Sequence, residues 1–204
     1  MSTTIDQIAE FLDEQDLSYG RHETEDAILL SFRIDPAQHF YRDHEGDASV
    51  SFLIRVHEEG DFLSISVPST WNLADCPHKA AVFEALLDFQ ARAKLVRFDY
   101  DSDDGEVRAN AEIGVEDSVF TSAQLHRLVR AVGNSVLSLD PVIRHAMRTG
   151  QADMGLLADP ENGGRNPARL RSLAEEAGGV DALEKLACGE PLDEAEQQGD
   201  VKTE

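Results

Sequence analysis

The sequence predicts an α+β domain: a five-stranded antiparallel sheet with helices on one face, in the order α-β-β-β-α-β-β-α, followed by a C-terminal helical tail. Two periodicities carry this expectation. Five segments alternate apolar and polar residues, the pattern of strands buried on one side only. Three others repeat apolar residues at helical spacing, which lines one face of a helix.

The first helix covers residues 4–15, where Ile5, Ile8, Ala9 and Leu12 share a face and Thr4 and Gln7 have the spacing of a capping box. A weaker extended piece lies near 18–22. Strands follow at 28–34 (Ile28, Leu30, Phe32, Ile34 inward), 49–57 (Val50, Phe52, Ile54, Val56) and 62–67 (Leu63, Ile65, Val67). Glu58-Glu59-Gly60-Asp61 makes the turn between the last two. The second helix spans 77–93 on Val82, Phe83, Leu86, Leu87 and Phe89, with Asp75 as N-cap and Pro77 in the first turn. Strands at 95–100 and 106–113 flank the turn signal Asp103-Asp104-Gly105.

A third helix starts at Thr121, again with Gln124 at capping-box spacing, and carries Leu125, Leu128, Val129, Val132 and Val136. Asp140-Pro141 ends or kinks it, because proline lacks an N–H and disfavours helix in the residue before it, and a short helical turn can resume through Arg148. These elements make up a domain over 1–148. Residues 149–166 read as a linker, 167–189 as a short helical hairpin (Leu170, Leu173, Ala177; then Leu183, Leu186, Ala187), and 190–204 as a disordered acidic tail. That tail either docks on the domain or acts as a recognition arm.

The charge limits the partners. Forty acidic residues against eighteen basic ones give a formal net charge of −22. Such a field repels phosphate backbones and anionic lipid heads, so neither nucleic acid nor a membrane is the expected partner. Cationic or amphipathic proteins fit better, with plain solubility as the competing explanation. No apolar run is long enough for a transmembrane helix, and no signal peptide is visible at the start. The two cysteines, Cys76 and Cys188, lack a C-x-x-C or Cys/His cluster, as expected of a reducing cytoplasm.

No chemistry-bearing motif emerges. The DYDSDDGE segment from Asp99 lacks the glycine and glutamate positions of an EF-hand loop and reads as a hairpin turn. His39, Asp43 and His44 are close in sequence, but their loop reads as solvated rather than metal-binding. The expectation is therefore no catalytic residue, no metal and no cofactor. The sheet's second face is more informative. By parity it carries Leu29, Arg33, Leu53, Arg55, Phe62, Arg97 and Arg108, with Asp99, Glu106 and Glu112 among them. Cross-strand ion pairing explains the arginines; a partner-binding surface formed by Arg33, Leu53, Arg55, Phe62, Arg97 and Arg108 is the alternative.

The stretches IAEFLDEQDLSYG, ALLDFQARAKLVRFDYDSDDGEVRANAEI and LHRLVRAVGNSVLSLDPVI carry a resemblance. In helix, hairpin and turn pattern they look like the YbjN family, described as bacterial sensory transduction regulators, within the type III secretion chaperone-like fold. The resemblance covers roughly residues 5–147. Residues 35–47 are longer and more polar than it implies, and the chain from 149 onward has no counterpart in the simplest members. It implies no cofactor and no catalytic residues, and related chaperones that are acidic, mostly homodimeric and hold secretion substrates. The chain thus reads as a non-enzymatic protein-binding module of the bacterial cytoplasm, chaperone-like or regulatory, with a possible homodimer. A small-ligand or signal-sensing regulatory domain is the alternative.

Overall fold

The computed structural model describes residues 2–22, 24–36, 39, 41–116 and 118–158. The hairpin and acidic tail expected at 167–204 lie outside the described residues, as do residues 159–166 of the expected linker.

Three helices, α1 (Ile5–Asp13), α2 (Lys79–Gln90) and α3 (Ser122–Thr149), pack on one face of an antiparallel sheet. The sheet has six strands rather than five: β1 (Tyr19–Arg21), β2 (Ala27–Arg33), β3 (Ser49–His57), β4 (Phe62–Asn72), β5 (Arg97–Tyr100) and β6 (Glu106–Gly114), in the spatial order β1-β2-β3-β4-β6-β5. The extra strand is the weak extended piece near 18–22. It is three residues long and carries no apolar alternation, because it pairs at the edge and buries little.

Strand parity sets the core. Ile28, Leu30, Val50, Phe52, Ile54, Leu63, Ile65, Ala109 and Ala111 point under α1 and the first half of α3. Trp71, Leu73 and Val107 meet α2 and the second half of α3. Tyr41, from the polar loop between β2 and β3, is also buried in the first cluster. Burial first, then the Asp140 and Asp43 carboxylates, push its phenol above the ordinary range.

Two helix boundaries depart from the expected ones. The N-cap of α2 is His78, without a side-chain cap bond, and not Asp75; the helix itself begins only after Pro77. α3 does not end at Asp140-Pro141 but runs on to Thr149, where Gly150 closes it in the left-handed conformation. Proline there removes one backbone bond, to Leu137. Packing of Leu139, Val142, Ile143 and Ala146 outweighs that loss. Asp140 is tied down as well: Trp71 Nε1 donates to it at 3.0 Å, and Arg144 Nε reaches both its oxygens at 3.0 and 2.9 Å.

β4 is longer than the 62–67 alternation suggests, because a bulge between Val67 and Trp71 hides the period. Ser69 adopts φ +49°, and the Thr70 hydroxyl donates to Val67 O at 2.6 Å while accepting from Ala109 N at 3.1 Å. One side chain thus replaces the missing ladder contacts, and the strand resumes with Trp71 opposite Val107. The turn glycines are required. Gly60 (φ +101°) and Gly105 (φ +78°) are left-handed, and an added Cβ would sit 2.4 Å from Thr3 O and 2.3 Å from Ala74 N respectively.

After α3, a 3-10 turn (Met154–Leu156) buries Leu156 against α2 and α3, and Ala158 N donates to Ser138 O at 2.9 Å. The described chain therefore leaves the fold on the helical side.

Candidate protein-interaction surface

The sheet face opposite the helices is uncovered by any described element. Its side chains lie in rows fixed by register. The central row runs Gly20, Leu29, Leu53, Ser66, Asn110, Arg97 across all six strands. Leu29 and Leu53 are directly opposed, a pairing that stabilises both strands. Leu29 remains 50% exposed, because its other neighbour is Gly20, which has no side chain to cover it. Around the pair the surface is short and polar: Ser31 and Ser51 share a hydrogen bond of 2.8 Å, and Ser66 Oγ donates to Leu53 O at 3.4 Å.

Three of the four arginines are engaged. Arg97 pairs with Asp99 at 3.3 Å and closely with Glu112. Burial, the largest single influence, lowers its pKa, but the Glu112 hydrogen bond together with the Asp99 and Glu112 charges outweighs it and raises the pKa. Arg108 bonds closely to Glu106, which also accepts from Ser69 N at 2.6 Å. The Arg108 hydrogen bond, with help from Ser69, holds the Glu106 carboxyl below the usual carboxylate range. Asn110 Nδ2 bridges Asp99 and Glu112 at 3.1 and 3.3 Å. Arg55 pairs with Glu25 at 3.3 Å. Arg33 is exposed and makes no ion pair among the described residues. Ion pairing, across the strands for Arg97–Glu112 and within β6 for Arg108–Glu106, thus accounts for the β5–β6 half of the face, which leaves Leu29, Leu53 and Arg33 on the β2–β3 half.

The six residues expected at the surface do not converge. Leu53, Arg55 and Arg33 lie on β2 and β3. Arg97 and Arg108 belong to the acidic network on the far side. Phe62 sits at the end of the sheet opposite Gly114 and His57, its ring 6.2 Å from the His57 ring, with the row Arg55, Ser64, Glu112 between it and Leu53. Leu29 is the prominent residue that the sequence left in the background. Parity had already put it on this face, but its exposure depends on Gly20 being opposite, which needs the β1–β2 register.

The edge beside Leu29 is also open. β1 pairs only with Ile28 to Leu30, so Ser31, Phe32 and Arg33 have no strand partner on that side. Among the described residues, no group of three or more His, Cys, Asp or Glu could hold a metal. Asp43 is committed to its own loop, accepting from Glu45 N, Asp47 N and Ser49 Oγ. Likewise the Asp101 and Asp104 carboxylates accept backbone N–H groups within the β5–β6 hairpin. No helix among the described residues is long and apolar enough to cross a membrane.

No protein-family profile matches the chain, and no curated protein matches it. Among solved structures it is similar to YbjN from E. coli, a proposed transcription regulator (TM-score 0.46, 16% identity, 69% of this chain and 89% of that one). It is also similar to a chain of the ExsC–ExsE complex (0.44, 16%, 67% and 92%). A third likeness is to a chain of the heterodimeric ExoU–SpcU complex from the type III secretion system of Pseudomonas aeruginosa (0.41, 18%, 66% and 95%). These are likenesses of overall arrangement at low identity, and they include the neighbours that the sequence resemblance leads one to expect.

Proposed function

We propose that this chain is a non-enzymatic protein-binding module, a chaperone-like or regulatory adaptor of the bacterial cytoplasm. The observation that carries the reading is the Leu29–Leu53 pair on an uncovered, serine-rich sheet face, with Leu29 half-exposed. An extended partner segment would add to the open edge at residues 31–33. Backbone bonds would then supply affinity, and side chains over Leu29 and beside Arg33 would supply specificity. Such a partner comes from another protein or from a second copy of this chain, which is how a homodimer would form. A cytoplasmic setting agrees with a sequence whose two cysteines form no C-x-x-C or Cys/His cluster.

The test compares the wild-type chain with Leu29→Asp and with Arg33→Glu/Arg55→Glu. All three should melt alike, since these side chains are exposed or half-exposed. The reading expects a stoichiometric protein partner, or self-association measured by sedimentation, that weakens by at least about tenfold in Leu29→Asp, because burying a new charge adds to the lost apolar contact. Unchanged partners and unchanged assembly in both variants would sink it. No protein partner, together with a ligand-induced rise in melting temperature, would favour ligand sensing instead.

A further inference from the structure

The edge of the fold opposite β1 is bare in both of its layers. β5 is the last strand of the sheet and, among the described residues, pairs only with β6. Beside it packs α2, which is apolar on two flanks. Ala81, Val82, Ala85 and Leu86 are buried in the core. Ala80, Phe83, Leu87 and Ala91 recur at helical spacing on the other flank, where Leu87 is 65% exposed. Phe83 meets the ring of Tyr100 on β5 at 4.9 Å, which joins the two layers into one patch. Leu87, Leu95 and Tyr100 are three of the five large apolar side chains exposed among the described residues, so most of that exposure is on α2, β5 and their connection. Leu95 also sits at φ +70°, a conformation that a leucine adopts only at a cost. The core gains little from a leucine strained in this way and half in water.

Charge selects what can cover the patch. Two copies of a chain carrying −22 repel, so they meet most easily where charge is balanced. Residues 79–100 hold four basic side chains against three acidic ones. β5 is also complementary to a second β5. Laid antiparallel and centred on Phe98, two copies of Arg97-Phe98-Asp99-Tyr100 set Arg97 of each opposite Asp99 of the other. Arg97 keeps Glu112 in this arrangement, since a guanidinium has N–H donors to spare, and no free cation is required. The backbone suits that register. Gln90 Oε1 accepts the Phe98 N–H at 3.0 Å on the open side, while the Asp101 N–H turns inward to Glu106 O at 2.8 Å. A residue that exchanges both backbone bonds with its own copy needs the outward orientation of Phe98. Gln90 satisfies that N–H in the single chain and gives way to the Phe98 carbonyl of a second copy.

We propose that two copies of this chain associate about a twofold axis at Phe98, with β5 beside β5 and α2 beside α2. The two six-stranded sheets then run on as one, and the apolar patch closes between the copies. The contact lies at the opposite edge of the sheet from Leu29 and does not rest on the partner site there. It leaves the β1 edge to another protein.

Sedimentation equilibrium of the full chain tests this. The wild type should reach twice the mass of one chain. Leu87→Asp should raise the dissociation constant by at least about tenfold while its circular dichroism stays that of the folded chain. Leu29→Asp should associate as the wild type does. Arg97→Asp and Asp99→Arg each set like charges opposite one another across the axis, so each alone should weaken association. Mixed together, these two variants restore both ion pairs and should form a one-to-one dimer. The mass of a single chain at every concentration, or a dimer that survives Leu87→Asp, would overturn the proposal. So would folded charge variants that associate no better mixed than apart. A dimer lost in Leu29→Asp and kept in Leu87→Asp would put the second copy at the β1 edge and overturn it as well.

Discussion

Replacing Arg144 with alanine leaves the Asp140 carboxylate, 2% exposed, with the Trp71 indole as its one remaining side-chain donor among the described residues. Removing one partner of a fully buried pair costs about 3–5 kcal/mol. Arg144 is 47% exposed and so partly screened, which lowers the expected cost to about 2–3 kcal/mol. In a domain of this size that is a fall in melting temperature of about 4–12 °C. Asp140→Asn should cost less, about 1–2 kcal/mol, because an amide oxygen still accepts from Trp71 and the freed guanidinium turns to water. The double variant Asp140→Asn/Arg144→Ala buries no charge and should be more stable than Arg144→Ala alone. Urea unfolding of the four proteins, with the midpoint moving at constant slope, yields the coupling energy directly. Single-variant costs that simply add, to within about 0.5 kcal/mol, would refute the reasoning that the pair holds α3 through its proline.

Pro141→Ala should stabilise the chain by about 1–2 kcal/mol, since the restored bond to Leu137 exceeds the entropy that proline removes from the unfolded state; thermal melting checks this. Gly105→Ala should cost more than about 2 kcal/mol, combining a left-handed φ with a Cβ placed 2.3 Å from Ala74 N, and is read by the same denaturation. Glu106 has a lowered folded pKa, through Arg108 first. Asp43 also ends lower, because Ser49, Asp47 and Glu45 outweigh the opposing effect of its burial. Depressed carboxylates contribute stability above the ordinary carboxylate pKa, and that stability is lost as pH falls through the folded value. Glu106→Gln should therefore flatten the acid limb of a stability-against-pH curve.

Strand parity was enough to assign the inner face, because every inward residue of β2, β3 and β6 obeys a period of two. It failed where a side chain took over backbone work. At Pro68 to Thr70 the chain inserts a bulge, and the Thr70 hydroxyl satisfies Val67 O and Ala109 N, an arrangement no periodicity encodes. Of the end or kink expected at Asp140-Pro141, the end does not occur, for a related reason. Local propensity is worth a few kcal/mol, and burial of Val142, Ile143 and Ala146 beyond the proline exceeds it. Tyr41 could not be picked from its loop, since its partners, among them the α3 carboxylate of Asp140, are distant in sequence.

The candidate surface was legible in composition but not in geometry. Arginines on alternate strand positions are visible in the sequence, whereas knowing which are neutralised requires register: Arg97 meets Glu112 only because Asn110 stands opposite it. Once those pairs are set aside, Leu29 separates folding from function. It lies across from Gly20 and half in water, so truncating it removes little that the core depends on and should shift stability by no more than about 0.5 kcal/mol. Leu53, packed under its neighbours in the middle of the same row, should cost more. A variant that keeps the melting temperature and loses the partner is therefore expected at Leu29 and not at Leu53, and the opposite order would place the contact elsewhere on the molecule.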